Sequence, residues 1–266
     1  MAKFAFSRNP AFATNAQGGV VAAQAVSTQQ LDEIYNRAST PAEGEVMTVE
    51  DTIAKTVGAF ALLLVGAAVG WISGMPILWI GAAIVGLVLG LINSFKREPV
   101  PALILAYAGV EGVFVGGISS FYEAAFDGVV VQAVIATLVV IGVTLALFAS
   151  GKIRASKRAT KVFLIAMIGY GLFSLVNLVL IATGANSDPW GLRGSFTIFG
   201  IPLGVVLGVF VVLMAAYSLV LDFDFIQRGV NNKAPRRYGW TGAFGIMATV
   251  IWLYLEILRM LAIARR

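Results

Sequence analysis

Five charged side chains lie within or beside long apolar segments, and they are the residues best placed to do chemistry: Glu111, Asp222, Asp224, Glu256 and Arg259. A charge in hydrocarbon costs on the order of 2.5–3.5 kcal/mol on insertion scales, so such a residue usually faces a partner or an aqueous path. Glu111 would lie about 16 Å deep at the middle of its apolar segment. We expect it to serve an ion pathway or pH sensing, with a structural hydrogen-bonding role as the alternative.

Glu256 and Arg259 are three residues apart, which places both on one helix face and lets them pair directly. This spacing allows two interpretations. In the first, the pair is a structural salt bridge whose arginine extends to the membrane interface. In the second, Glu256 and Glu111 line one aqueous path and act as proton acceptors.

Asp222 and Asp224 come at the end of an apolar segment and are flanked by phenylalanines. At 100° per residue they would point about 200° apart, so the two cannot chelate one ion alone. We expect at least one of them to face the interior of the protein and to belong to the ion pathway. As calcium ligands they are weak candidates, since the later glycine and glutamate of an EF-hand loop are absent.

The residue types that are missing exclude much other chemistry. The chain has no cysteine and no histidine. This excludes thiolate nucleophiles, disulfides, zinc–thiolate sites and catalysis by an imidazole base. Phosphate-binding loops, dinucleotide fingerprints and nucleophile elbows are also absent from the sequence. We therefore predict a protein that is not an enzyme and has no cofactor.

The composition predicts an all-α integral membrane protein. Hydrophobic residues make up 59% of the 266 and charged residues only 12%, about half of what a soluble surface needs. Seven apolar segments have about the length that spans a bilayer. They are Thr56–Ile72, Ile77–Phe95, Val100–Phe121, Val129–Ser150, Val162–Thr183, Thr197–Leu221 and Trp240–Ala262.

Residues 51–266 are thus predicted to form a seven-span transmembrane domain, and residues 1–50 a mostly disordered tail. Within the tail, Ser27–Ala38 could form a short helix with one apolar face. Thr48 is a plausible cap for the first spanning helix, because acidic Glu50 and Asp51 follow it.

The basic residues predict the orientation. Most of the 19 lysines and arginines fall in the tail and in every second loop, so the positive-inside rule places the N-terminus in the cytoplasm. Arg259, Arg265 and Arg266 would then lie outside, which runs against the rule. The net charge of +5 needs no nucleic-acid partner, because basic loops that face a lipid bilayer account for it.

Small residues recur at helical spacing within the apolar segments. Such spacing lets helix backbones approach closely in lipid. We interpret these glycines as packing positions of a helix bundle, with a homodimer face as the alternative. They are Gly66 and Gly70, Gly86 and Gly90, Gly112 and Gly116, and the series Gly200, Gly204 and Gly208.

Three segments, taken in order, resemble those of the Bax inhibitor-1/YccA-like (TMBIM) family: Glu111–Ser119, Leu221–Phe223 and Leu255–Leu261. The resemblance covers about residues 50–266. The start, Ser7–Phe12, is similar to that of a bacterial subgroup, which implies a multi-pass protein of a bacterial inner membrane.

The resemblance implies a fold and a mechanism. Six helices would surround a central C-terminal helix, and the protein would be a pH-sensitive calcium leak in which acidic residues of the last two helices pair. Asp222 matches the first of these residues, but the second position falls at about Thr249, which cannot ionise. Lys96 or Arg97 would correspond to the basic residue that locks the closed state.

Because of that threonine, Asp224 could supply the second carboxylate, or Glu111 and Glu256 could move the acidic site deeper into the membrane. Two carboxylates held close share a proton and can bind a hard cation such as calcium. The alternative function is a non-transporting partner that modulates a membrane-bound quality-control protease through its cytoplasmic tail.

Overall fold

A computed structural model describes residues 46–266 of the chain. The predicted helix Ser27–Ala38, and the predicted tail up to residue 45, lie outside these described residues. The regular elements are α1 (Val49–Ser73), α2 (Pro76–Phe95), α3 (Pro101–Ala125), α4 (Val129–Ala149), α5 (Lys157–Ala182), the one-turn α6 (Leu192–Ser195), β1 (Thr197–Ile198), β2 (Ile201–Pro202), α7 (Leu203–Asn231), a 3-10 turn (Arg236–Tyr238) and α8 (Gly239–Ala264).

Within residues 46–266, seven helices are long and apolar enough to cross a membrane, as predicted. They are α1 to α5, α7 and α8. The predicted cap of the first span is also confirmed, since the Asp51 amide donates to the Thr48 hydroxyl over 3.1 Å. Helix α1 therefore begins at Val49.

The predicted start of the sixth span at Thr197 is wrong. Residues Thr197 and Ile198 pair with Pro202 and Ile201 in a two-residue antiparallel hairpin. The hairpin turns at Phe199 and Gly200, whose φ angles are 52° and 80°, and a helix cannot continue through such left-handed residues. The helix instead starts at Leu203 and runs to Asn231, so Asp222 and Asp224 lie inside it rather than at its end.

Helix α8 is the central helix of the bundle, as the resemblance implies. Of its spanning segment 56% is buried, against 6% for α5. It packs on α1, α3, α4 and α7, while α2 packs on α3 and α5 lies at the periphery. Side chains on α8 are therefore the ones that neighbouring helices can enclose.

Glycines bring α1 and α3 together most closely. A side chain at Gly116 would overlap the carbonyl of Ala67, and one at Gly112 would overlap the carbonyl of Leu63. Gly66 and Gly70 face α3 in the same way. These glycines therefore act in packing within the bundle, as predicted. Gly200 is an exception, because it lies in the hairpin turn.

Three segments of the chain meet at the end of the bundle where α1 begins: the start of α1, the α2–α3 connection and the α7–α8 loop. The Met47 amide donates to the Ala234 carbonyl over 2.7 Å, and Arg236 pairs with Asp51 at 2.7 Å. Arg237 joins the same loop to Glu98 at 2.9 Å. The α7–α8 loop thus links the start of α1 to the α2–α3 connection.

The arginines that run against the positive-inside rule have partners at the opposite end. Arg259 pairs with Glu256 at 2.7 Å, Arg265 donates to the Asp127 carbonyl over 2.5 Å, and Arg266 pairs with Asp188. Burial raises the pKa of Asp188, but the Trp190 amide and Arg266 outweigh it, so this pKa lies below its usual value. Carboxylates therefore pair with Arg259 and Arg266 at this end, whereas Arg265 has a neutral carbonyl as its partner.

Candidate functional site: carboxylates beside the central helix

Asp222 of α7 points at the central helix. The Thr249 hydroxyl donates to its Oδ2 atom over 2.7 Å, and the Ser218 hydroxyl lies 3.3 Å from that of Thr249. A Cβ atom at Gly245 would come within 2.8 Å of the other carboxylate oxygen. Gly245 thus leaves room for a carboxylate that lies between α7 and α8.

Among residues 46–266, the hydrogen-bond partner of Asp222 is neutral. Ion pairs within residues 46–266 involve Asp51, Glu98, Asp188, Asp224 and Glu256, and none of them involves Asp222. A carboxylate among hydroxyl groups keeps free lone pairs for a proton or a cation. The structure therefore joins Asp222 to Thr249, the position at which the resemblance implies a second acidic residue.

A polar stripe continues from this site along α8. Thr241, Gly245 and Thr249 follow one another at four-residue spacing and share one helix face. Thr241 is only 9% exposed, and its hydroxyl has no hydrogen-bond partner within the part of the chain that the structure describes. An unsatisfied buried hydroxyl is costly, so the stripe offers a hydrogen-bonding group for a bound water or ion.

An apolar cluster lies next to the Asp222 site on the side of the α7–α8 loop. Ile226, one helical turn beyond Asp222, packs with Met47, Ala234 and Tyr238. Met47 is 1% exposed. The residues just before α1 therefore help to separate the carboxylate from that end of the protein.

Asp224 has different surroundings from Asp222. It pairs with Arg228, one turn further along α7, at 2.8 Å. Within residues 46–266 no group of three or more acidic side chains is arranged to hold a metal ion. Asp222 bonds to Thr249 of α8 and Asp224 pairs with Arg228, so the two aspartates have different partners.

Glu111 faces α2 instead of the central helix. Its carboxylate lies against Gly86, where a side chain would overlap it. No hydrogen bond or ion pair of Glu111 occurs among the described residues. Its neighbour one turn earlier, Tyr107, packs edge-on against Phe244 of α8, with ring centroids 5.2 Å apart. Glu111 is thus a part-buried carboxylate in the middle of a spanning helix, placed apart from Glu256.

Glu256 lies in a polar cluster among α5, α6 and α8. It is 4% exposed and accepts from Arg259 over 2.7 Å, with the Tyr170 hydroxyl as a further donor. Arg193 completes the cluster, with its Nη1 atom 3.5 Å from Oε2 of Glu256. The direct Glu256–Arg259 pair predicted from the spacing is confirmed.

Sequence reasoning missed Arg193 as a site residue. It is 5% exposed and donates to the Tyr170 and Ser174 hydroxyls over 2.8 and 3.0 Å. Asn177 of α5 positions the preceding loop by accepting from the Leu192 amide over 2.6 Å. The sequence did contain one indication of its role. Arg193 lies between Gly191 and Gly194, in a loop where the positive-inside rule predicts no basic residue.

Lys96 and Arg97 lie in the exposed connection between α2 and α3. Neither forms an ion pair with Asp222 or any other described residue. Their neighbour Glu98 pairs instead with Arg237. In this conformation they do not lock the carboxylate at α7, the role that the resemblance implies for one of them.

Fold and site together define a polytopic α-helical membrane protein, surrounded by lipid, with a carboxylate held against its central helix. A family model described as Bax inhibitor 1 like matches residues 7–266, so the chain belongs to the Bax inhibitor-1-like family. No curated protein matches the sequence.

Proposed function

We propose that this protein is a calcium-permeable, pH-sensitive cation leak whose permeating ion is bound and released at Asp222. The observation that carries the proposal is the Asp222 carboxylate, which lies between α7 and the central helix with the Thr249 hydroxyl as its partner and no paired cation among residues 46–266. Hard cations such as Ca²⁺ prefer oxygen ligands of this kind.

Hydroxyl groups extend the site in both directions. Thr249 supplies an oxygen beside Asp222, and Ser218 supplies one beside Thr249. Thr241, whose hydroxyl has no partner among residues 46–266, lies two turns nearer to the α7–α8 loop. A cation that leaves water would exchange its hydration shell for such oxygens one by one. Protonation of Asp222 removes the negative charge that attracts the cation, which gives the leak its pH sensitivity.

In the proposed leak, the apolar cluster of Met47, Ile226, Ala234 and Tyr238 closes the path between Asp222 and the α7–α8 loop. This conformation is therefore the closed state. Glu111 acts as a second acidic position beside α2, where it shapes the electrostatic potential inside the bundle.

The leak operates in a bacterial inner membrane with the N-terminus in the cytoplasm. The basic loops at the end where α1 begins support this orientation. The alternative function, modulation of a membrane protease, depends on tail residues outside the described range.

Calcium flux into liposomes tests the proposal. We expect wild-type protein to carry calcium faster at about pH 8 than at about pH 6, because protonation of Asp222 removes the charge that attracts the cation. Asp222→Asn should abolish the pH-dependent flux, because an amide keeps the shape of the site and loses its charge. Glu111→Gln should reduce the flux without abolishing it.

Asp224→Asn is the matched control, because it makes the same change two residues away at a carboxylate paired with Arg228. Its flux should resemble that of the wild type. Flux at the level of protein-free liposomes for all four proteins, or equal loss in both aspartate variants, would refute the proposal.

Thr249→Asp should steepen the pH dependence of flux between about pH 6 and pH 8. The new carboxylate would lie where the Thr249 hydroxyl is now, within hydrogen-bonding distance of Asp222. Two carboxylates at that distance share one proton and titrate as a pair. Thr249→Val removes the donor without adding charge and serves as the control. An unchanged pH profile of calcium flux in Thr249→Asp would show that position 249 takes no part in the pH response of the leak.

A further inference from the structure

Five basic side chains between the end of α4 and the second turn of α5 form an exposed patch. All five are exposed to solvent. They are Lys152, Arg154, Lys157, Arg158 and Lys161, and we call them the α5 basic patch.

Several other basic groups at this end of the bundle have carboxylate partners, unlike those of the α5 basic patch. Arg228, Arg236 and Arg237 pair with Asp224, Asp51 and Glu98. None of the five patch residues forms an ion pair with a described residue. Arg154 has neutral partners, the Gln227 side-chain carbonyl at 2.7 Å and the Phe148 ring.

The local structure makes this concentration of charge unfavourable unless an anion is present. Lys157 and Arg158 occupy the first turn of α5, which Ser156 caps by accepting from the Ala159 amide over 3.2 Å. A helix N-terminus carries a partial positive charge and favours anions. Two cations in that turn are repelled by the positive end of the helix dipole and by one another. The first turn contains no acidic residue that would offset this repulsion.

The depth of the patch identifies the anion. It lies where an apolar, 26-residue spanning helix begins, which is the level of the phospholipid headgroups. Clusters of basic residues next to a spanning helix attract anionic lipids by about 1 kcal/mol per residue. Ile153, exposed between Lys152 and Arg154, adds an apolar side chain at the same level.

We propose that the α5 basic patch is a binding site for the phosphate headgroup of an anionic phospholipid, with Lys157 and Arg158 as its principal ligands. This site is independent of the proposed leak. A lipid is favoured over an acidic soluble protein because lipid phosphates are present at this depth around the whole bundle.

Binding of phosphatidylglycerol to the full-length protein in neutral detergent micelles tests the site, with phosphatidylcholine as the reference lipid. Native mass spectrometry gives an apparent Kd for each. Wild-type protein should prefer phosphatidylglycerol, and Lys157→Gln/Arg158→Gln should weaken its binding about thirtyfold. Lys96→Gln/Arg97→Gln is the matched control, since it removes an equally exposed adjacent Lys–Arg pair that lies outside the patch.

The proposal is supported if only the first double variant loses the preference, and if raised salt weakens wild-type binding by screening. The salt dependence needs no variant, so it tests the site even if the variant folds poorly. Equal binding of the two lipids by wild-type protein, or equal losses in both variants, would overturn it. So would binding of an acidic peptide, but not of phosphatidylglycerol, that depends on Lys157 and Arg158.

Discussion

Replacing Glu256 with glutamine should lower the free energy of unfolding by about 3–5 kcal/mol, because the change leaves two arginines without their shared counter-charge. The side chains of Glu256 and Arg193 are 5% and 6% exposed, so water cannot replace the lost carboxylate. Thermal unfolding of the purified protein in one detergent would show the loss as a clearly lower melting temperature.

Glu98→Gln is the control, because it also breaks a salt bridge to an arginine. Glu98 and Arg237 are 61% and 50% exposed, and exposed pairs contribute about 0–1 kcal/mol. Its melting temperature should stay close to that of the wild type. Equal melting temperatures for the two variants would mean that the Glu256 cluster does not hold α5 and α6 against the central helix.

A single methyl group at Gly116 should destabilise the bundle by about 1–3 kcal/mol, the usual cost of overpacking. The new Cβ atom in Gly116→Ala would overlap the backbone carbonyl of Ala67. Backbone atoms cannot move aside as a flexible side chain can, so α1 and α3 would have to separate. Thermal unfolding in detergent again measures the effect.

Gly109→Ala provides the comparison on the same helix. Its Cβ atom would meet only the Leu62 side chain, at 3.8 Å, an ordinary van der Waals contact. We expect little change in its melting temperature. If Gly109→Ala destabilised the protein as much as Gly116→Ala, the loss would come from glycine replacement in general and not from the α1–α3 contact.

The spans, and the cap at Thr48, were predictable from the sequence because both depend on nearby residues. Hydrocarbon thickness sets the length of an apolar segment, and a cap needs only the next three residues. The same local reasoning placed the start of the sixth span wrongly at Thr197. Apolar residues continue through Phe199 and Gly200, and only the backbone turn there separates the hairpin from α7.

The partners of the charged residues depended on the tertiary structure. Spacing alone predicted the pair of Glu256 with Arg259, because three residues on one helix determine their geometry. Spacing did not place Arg193 at the same carboxylate, since 63 residues separate the two. It also left open whether Glu111 and Glu256 share a path. In the structure Glu111 lies against α2, and Glu256 lies among α5, α6 and α8, so their surroundings are separate.

The sequence by itself determined that this chain is a seven-span helical membrane protein of the Bax inhibitor-1-like family. Composition and segment length are enough for the seven helical spans, because lipid excludes most other folds. The family follows from the match of residues 7–266 to its family model. The tertiary structure decided which helix faces meet. It placed the Thr249 hydroxyl against Asp222, a contact that depends on the rotation of α7 relative to α8.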